Sequence, residues 1–282
     1  LRYVLVTTLT SQFIFSSRVR AEQVFVHSLG IFTREEQLPV LQSQVHSLWS
    51  IFQGSSLEER IRYTPSDCFE TFPFPASLVD ANASDPAHEA MRESLEAIGE
   101  RYHQFRAELM VANNEGLTST YNRFHDPAEA SPGLLELRRL HSEMDQTVLQ
   151  AYGWSDVSTA CGFGLDYLDT DEDAQLPDEL QERIDRGELF FWEANDALDF
   201  QGQLEAYGAI SGRRKLPWRY RWPDAVRDDV LARLLALNAE RYAEEVAMGL
   251  HSKGAKKTSG AARKTKKKAS STDDLELTSE PY

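Results

Sequence analysis

Five acidic side chains lie close together in the middle of the chain, and closely spaced carboxylates are typical oxygen ligands of calcium. They are Asp166, Asp169, Asp171, Glu172 and Asp173. A calcium-binding loop also needs a central glycine and a final glutamate at fixed spacing, and this stretch does not have that pattern. We therefore interpret it as a solvated acidic loop, and the sequence predicts no metal site.

Histidines and glycines could support two other kinds of chemistry. His125 and His141 have no carboxylate or cysteine partner at the spacing of a metal site, so we interpret both as packing or helix-end histidines. Gly162-Phe163-Gly164 is a close glycine pair after a plausible strand, but it is shorter than a phosphate-binding loop, and a structural role is favoured. The residues by themselves predict no catalytic site.

The composition indicates a chain with a core and an acidic body. With 282 residues, of which 41% are apolar, the chain could form one large domain or two ordinary ones. The formal net charge is −15, although the run from Lys253 to Lys268 is basic and contains no acid. Neutralising phosphates supplies most non-specific DNA affinity, so this body needs a local basic surface or a partner module to bind DNA.

The cysteines and the first residues indicate where the chain is located and whether it is part of a longer protein. Cys68 and Cys161 are too few for a disulfide framework and fit a reduced, cytoplasmic location. The opening apolar stretch Tyr3–Val6 is too short to span a bilayer and does not have the layout of a signal peptide. The chain begins with Leu1, from which we expect a fragment of a longer protein.

The first third of the sequence predicts short strands, one helix and a stiff connector. Residues 2–29 are rich in Val, Ile, Phe and Thr, which indicates two to four strands. Apolar residues at helical spacing predict a helix over 35–53, ended by Gly54. Three prolines in Arg62–Pro75 favour an extended connector, and its aromatic side chains must be covered: Tyr63, Phe69, Phe72 and Phe74.

The remaining sequence predicts mainly helices. One begins at Asp85-Pro86 and continues to about Asn113, and another begins at Ser131-Pro132 and ends near Tyr152, so we expect an antiparallel hairpin. Residues 156–216 are the least regular part, in which the acidic run over 166–173 and the glycine-rich stretch over 202–212 are expected to form loops and a poorly defined connection. Trp222-Pro223-Asp224 opens a final helix.

Three ordered stretches resemble one family of enzymes. The first combines Leu41–Trp49 with Arg62–Pro75, the second combines Leu117–Pro127 with Leu137–His141 and Ala151–Trp154, and the third combines Tyr220–Asp224 with Leu234–Arg241. In this order they resemble the end of the target-recognition region and the helical carboxy-terminal region of MmeI-type (type IIG/IIL) restriction-modification adenine DNA methyltransferases. The resemblance spans about Leu1 to Glu245.

The resemblance has implications for fold, partners and cofactor. The expected fold is α+β: a small β-rich recognition module over residues 1–75 that ends in the connector, a mainly α-helical C-terminal domain over 76–250, and a disordered Lys-rich tail over 251–282. The implied partners are double-stranded DNA and a methyltransferase domain, in cis or in trans, that methylates adenine N6 with S-adenosylmethionine. The cofactor loop, the Asn/Asp-Pro-Pro-Tyr/Phe motif and the nuclease motif of such enzymes are missing from this sequence, so we expect this chain alone to be inactive and to hold no cofactor.

The same resemblance directs attention to side chains that can read bases. Arginine can donate two parallel hydrogen bonds to guanine, and Asn or Gln can do so with adenine. The candidates for DNA binding are Arg18, Arg20, Gln23, Arg34, Arg60, Arg62, Asn122 and Arg123. Any one of these arginines could instead be a surface residue in an ion pair, and Tyr121–His125 could equally be a packed turn with a buried tyrosine.

Other interpretations remain open at this point. The chain could be a free-standing DNA-binding specificity subunit that acts with a separate methyltransferase, or a non-functional remnant of a truncated gene. The lysine tail could be a phosphate-binding arm or an irrelevant extension, and we favour a flexible end with incidental affinity for DNA.

Overall fold

The first strands form a small antiparallel sheet. The computed structural model describes residues 3–11, 14–26, 28–57, 60–79, 85–171, 173–210 and 215–250. The strands are β1 (Tyr3–Thr8), β2 (Thr10–Ser11), β3 (Ser16–Arg20) and β4 (Leu29–Phe32). The sheet has the order β3-β1-β4, with both neighbours antiparallel to β1. The two to four strands predicted for this region are confirmed.

The helix predicted over 35–53 is interrupted. A 3-10 turn (Glu35–Gln37) leads into α1 (Leu38–Gln42), and a separate helix α2 (Gln44–Gln53) follows. Ser43 breaks the helix because its backbone is extended (φ −68°, ψ 160°) and its hydroxyl accepts a hydrogen bond from the His46 N–H. Gly54 ends α2, as predicted. Strands β5 (Ser55–Leu57) and β6 (Arg60–Arg62) then join β2 in a second sheet of order β2-β6-β5.

The proline-rich connector is only partly extended. Pro65 occupies the first turn of the short helix α3 (Pro65–Cys68), so the prediction of a wholly extended segment is wrong there. A second short helix, α4 (Ala76–Val79), follows. The expectation of covered rings is confirmed for Tyr63, Phe72 and Phe74, which are buried, while Phe69 is half-buried. The connector therefore contributes side chains to the core.

Two long helices form the predicted antiparallel pair. They are α5 (Pro86–Asn113) and α7 (Pro132–Ala151), with the shorter α6 (Leu117–His125) between them in sequence. Contacts run in opposite directions along the two helices: Arg101 pairs with Glu143 (2.7 Å), and further along α5 a Cβ at Gly133 would lie 2.5 Å from Leu109. Gly133 therefore permits the close approach of the helices.

Residues 156–216, the least regular part of the sequence, contain two helices and two strands. The elements are β7 (Gly162–Leu165), α8 (Asp178–Asp185), β8 (Phe190–Phe191) and α9 (Ala194–Ala206), followed by β9 (Trp218–Arg221) and α10 (Asp224–Ala247). The sheet order is β8-β7-β9, and α9 includes Gly202, which was expected in a loop. A separate core of Phe163, Phe191, Phe200 and Trp218 stabilises this part.

The protein has an α+β fold, as predicted. Residues up to 240 form one compact unit, and the described residues 241–250 belong to a second. The functional division at residue 75 stays a prediction, and the predicted disordered tail, 251–282, lies outside the described residues. Within the described ranges, no helix has the length and apolar character needed to cross a membrane.

Candidate nucleic-acid interface

Several candidate DNA-binding residues meet at one end of the first sheet. Arg20 lies opposite Tyr3 at the end of β3, and Phe32 lies opposite Leu5 on the other side of β1. Arg34 therefore lies just beyond the same end. The Gln23 N–H donates to the Arg20 carbonyl (3.2 Å), which keeps Gln23 beside it. Arg20, Gln23 and Arg34 are all exposed.

The cations at this sheet end differ in their partners. Arg18 forms a two-point ion pair with Glu100 of α5, at 2.6 and 3.0 Å, and lies over the Tyr3 ring. Arg34 pairs with Glu36 (2.7 Å). Exposed ion pairs of this kind contribute little stability, so they can exchange partners. Within the described ranges, no carboxylate pairs with Arg20.

The other two candidate arginines of the predicted recognition module, Arg60 and Arg62, do not lie at this sheet end. Arg62 is exposed on β6, where it pairs with Thr10. Thr10 is seven residues beyond Tyr3, on the order of 23 Å of extended chain. The side chain of Arg60 lies outside the described residues. The predicted set is thus divided between two sheets.

The second predicted patch lies on the helix α6, and its Tyr121 is buried. Asn122 is exposed on α6, but Arg123 donates to Glu115 (2.9 Å), Glu129 (2.6 Å) and Ser131 (3.2 Å). The hydrogen bond from Arg123 lowers the pKa of Glu129 to about 2, and these bonds fasten the loop between α6 and α7. A role of Asn122 and Arg123 in DNA binding stays a prediction.

A buried arginine supports the sheet end, and the sequence analysis missed it. Arg106 of α5 is 2% exposed and donates to Gln42 Oε1 (3.1 Å), the Ser16 carbonyl (2.9 Å) and Ser17 Oγ (3.0 Å). It therefore connects α5 with α1 and β3, the strand that carries Arg20. The available signal was its spacing of four residues from Tyr102, which places it on the buried face of the helix.

The predicted packing role of both histidines agrees with their surroundings. His141 Nε2 lies 3.0 Å from the hydroxyls of Tyr102 and Tyr121, which also contact each other. Burial lowers the pKa of His141 to about 3. His125 Nδ1 accepts from the Tyr220 N–H (3.0 Å), and burial lowers its pKa well below the ordinary value. Both rings are therefore neutral parts of the core.

A second buried polar junction holds α2, α7 and the end of β9 together. Asp145 accepts from the Gln44 backbone N–H and from Gln44 Nε2, both at 2.9 Å. Gln44 Oε1 accepts from the Trp222 N–H (3.1 Å). Burial raises the pKa of Asp145 to about 7, and the two hydrogen bonds from Gln44 oppose that shift. Asp145 was not predicted, because one polar residue on an amphipathic helix gives no sign of its burial.

Strand packing and pairwise contacts account for described residues of the glycine pair and the acidic run. A Cβ at Gly162 would lie 2.3 Å from the Phe191 carbonyl oxygen, so packing between strands explains this glycine. Asp166 pairs with Arg219 (2.8 Å), and the Asp171 N–H donates to a backbone carbonyl. Among the residues that the structure describes, no group of three His, Cys, Asp or Glu could hold a metal ion.

Comparisons with known proteins give one similarity. No family model matches the sequence, and no curated protein matches it. A solved structure of MmeI, a type IIL restriction-modification enzyme in complex with DNA, is similar over 54% of this chain and 18% of that chain, at 25% identity and a TM-score of 0.40. The chain thus spans less than a fifth of the length of that enzyme. A TM-score this low supports no inference about fold or site.

Proposed function

We propose that this chain is the DNA target-recognition portion of a restriction-modification enzyme that methylates adenine N6 with S-adenosylmethionine. The cofactor site and the catalytic motifs belong to a methyltransferase domain that acts with this chain, in cis or in trans. The chain itself supplies the side chains that read the DNA sequence. The observation that carries the proposal is the meeting of the three resembling stretches in one hydrogen-bonded core.

Those stretches are far apart in sequence and adjacent in space. Gln44 of the first stretch accepts from Trp222 of the third (3.1 Å), and Gln42 of the first donates to Tyr121 of the second (3.4 Å). The first stretch is therefore hydrogen-bonded to both of the other stretches that resemble the family. This supports a common origin for all three stretches, and with it the family's DNA-directed role.

The end of the first sheet supplies suitable chemistry for base reading. Arg20 can donate two hydrogen bonds to guanine O6 and N7, and Gln23 can pair with the N6 and N7 edge of adenine. The acidic body suppresses sequence-independent attachment, because phosphate contacts dominate non-specific affinity. Binding by this chain is therefore expected to depend on a few local contacts.

The surrounding contacts fit a reader that must hold its side chains in fixed positions. Arg106 donates to the Ser16 carbonyl and to Ser17 Oγ, two positions at the start of β3. A strand held at both positions limits the directions in which Arg20 can point. Discrimination between bases needs such a fixed direction, because a bidentate pair is lost when the donors are misaligned.

A binding selection on randomised duplex DNA tests the proposal with the purified chain. We expect an enriched sequence, and loss of preference at one base position in Arg20→Ala, corresponding to about 1–3 kcal/mol. Arg186→Ala is the matched control, because Arg186 is an exposed arginine directly after α8 whose ion pairs are with Glu182 and Glu188. Absence of any enriched sequence at low salt, or equal effects of both variants, would contradict the proposal. Methyl transfer by the chain alone would contradict the placement of catalysis outside it.

A further inference from the structure

A cavity of about 650 Å³ lies apart from the proposed base-reading end. Its lining comes from α2, α6, β9 and the beginning of α10, and it includes none of the eight predicted DNA-binding residues. Sites for small molecules usually have volumes of about 300–1,000 Å³. The cavity therefore has the size of a ligand site with no assigned role.

The lining charges favour an anion. Three guanidinium groups and two carboxylates line the cavity: Arg219, Arg221, Arg227, Asp166 and Asp224. Asp166 pairs with Arg219 (2.8 Å), whereas Asp224 is shared by Arg221 (2.9 Å) and Arg227 (3.1 Å). The three guanidinium groups therefore outnumber the two carboxylates by one, which leaves one net positive charge. The amino end of α10, at Asp224, adds a partial positive charge beside them.

Arg221 is the most constrained of the three arginines. Its guanidinium lies against β7, where a Cβ on Gly164 would be 2.6 Å away, so glycine is needed for this placement. The side chain is buried, and its Nε–H has no acceptor among the described residues. Its position at the cavity wall is therefore fixed by packing against β7 and by the ion pair with Asp224.

The rest of the wall combines aromatic and aliphatic side chains with two glutamines, a serine, two histidines and a cysteine. Phe124 and Tyr220 line the cavity with their rings 5.7 Å apart, and Leu48 and Leu165 extend the apolar surface. Aromatic faces stack on nucleobases of any sequence. We propose that the cavity binds one nucleotide unit, with its phosphate at Arg221 and Arg227 and its base against this wall.

Two sources could provide the same chemical unit. One is a free mononucleotide, and the other is a nucleotide swung out of duplex DNA. Only the second source rests on the proposed function. The four 2′-deoxynucleoside 5′-monophosphates serve as probes for the first, and a duplex with one unpaired nucleotide serves for the second.

Calorimetric titration of the purified chain tests the site. At least one monophosphate should bind, and more tightly than inorganic phosphate or the matching deoxynucleoside. Arg227→Gln should weaken binding about ten- to hundred-fold, because a charge-assisted hydrogen bond is lost. Arg233→Gln is the control, since Arg233 lies on the same helix and pairs with Asp156 (2.6 Å) rather than lining the cavity. Ser47→Phe fills the cavity without changing its charge and should also block binding.

The outcomes separate the site from the base-reading proposal. The site is overturned if no monophosphate binds at about 1 mM, or if Arg227→Gln, with an unchanged melting temperature, binds as tightly as Arg233→Gln. If Arg227→Gln weakens binding of the duplex with the unpaired nucleotide and spares the fully paired duplex, DNA is the source. If the monophosphate binds while the DNA selection enriches no sequence, the cavity proposal stands and the base-reading function fails.

Discussion

Replacing Asp145 with asparagine should change how the stability of the protein depends on pH. Burial raises the pKa of this carboxyl from 3.8 to about 7 in the folded state. The folded protein therefore holds the proton more tightly than the unfolded chain, and the free energy of unfolding falls as the pH rises from about 4 to about 7. Asparagine cannot ionise, so the Asp145→Asn variant has no such decline.

The size of the effect follows from the shift. Each pKa unit corresponds to about 1.4 kcal/mol, so ionising Asp145 in the folded protein costs about 4 kcal/mol above pH 7. At about pH 5 less than half of this cost is present, because most of the ionisation in the folded protein occurs near pH 7. The stability of Asp145→Asn relative to the native protein should therefore rise by about 2–3 kcal/mol between about pH 5 and about pH 8. The buried histidines titrate in both proteins and cancel in the difference.

Urea denaturation followed by tryptophan fluorescence measures this difference at each pH. Asp156→Asn is the control, because hydrogen bonding to Arg233 lowers the pKa of the exposed Asp156 carboxyl, and its difference should not vary above pH 5. A difference for Asp145→Asn that stays constant with pH would show that burial does not perturb the carboxyl. A variant that becomes relatively less stable as the pH rises would show that the hydrogen bonds from Gln44 outweigh burial.

Three further predictions concern the connector, the third sheet and the tail. Phe72→Ala should lower the free energy of unfolding, measured by urea denaturation, by about 3–5 kcal/mol because the Phe72 ring is buried. Phe52→Ala should change it little, because the Phe52 ring is half exposed. Gly162→Ala should lower the free energy of unfolding by about 1–3 kcal/mol, because the new Cβ would meet a backbone carbonyl. Gly202→Ala should raise it by about 0.5–1 kcal/mol, because Gly202 lies on a helix and faces open space. A higher melting temperature for Gly162→Ala than for Gly202→Ala would refute this. Neutralising the tail lysines Lys266–Lys268 should weaken DNA binding equally across sequences and flatten its salt dependence, and a changed preferred sequence would argue against an incidental tail.

Local patterns were sufficient where the structure depends on neighbours in sequence. The helix α5 begins at Pro86 after the Asp85 cap and ends at Asn113, as the sequence predicts. Its cap and its apolar spacing are both local signals. The broken helix near Ser43 is also a local event, but a serine inside an apolar periodic stretch gives no sign of its extended backbone.

Non-local pairing explains what the sequence did not predict. The sheet β8-β7-β9 joins Phe163 to Phe191 and Gly162 to Arg221, so its paired residues lie up to 59 positions apart in sequence. Its strands are too short to show alternation, and one contains two glycines. The same limit applies to the candidate interface. The side chains at the sheet end were identified from their types, but the pairing of Arg18 with Glu100, 82 residues away, is invisible in sequence.

A buried arginine fixes how the first sheet packs on the helices. Arg106 is a buried cation whose acceptors are a side-chain amide, hydroxyls and a backbone carbonyl rather than a carboxylate. Burying such a charge is costly, so it is a poor source of stability compared with an apolar side chain of similar size. It does fix an orientation, because its fork of donors fits only one arrangement of α5, α1 and β3. The position of the strand that carries Arg20 therefore depends on a buried residue of α5.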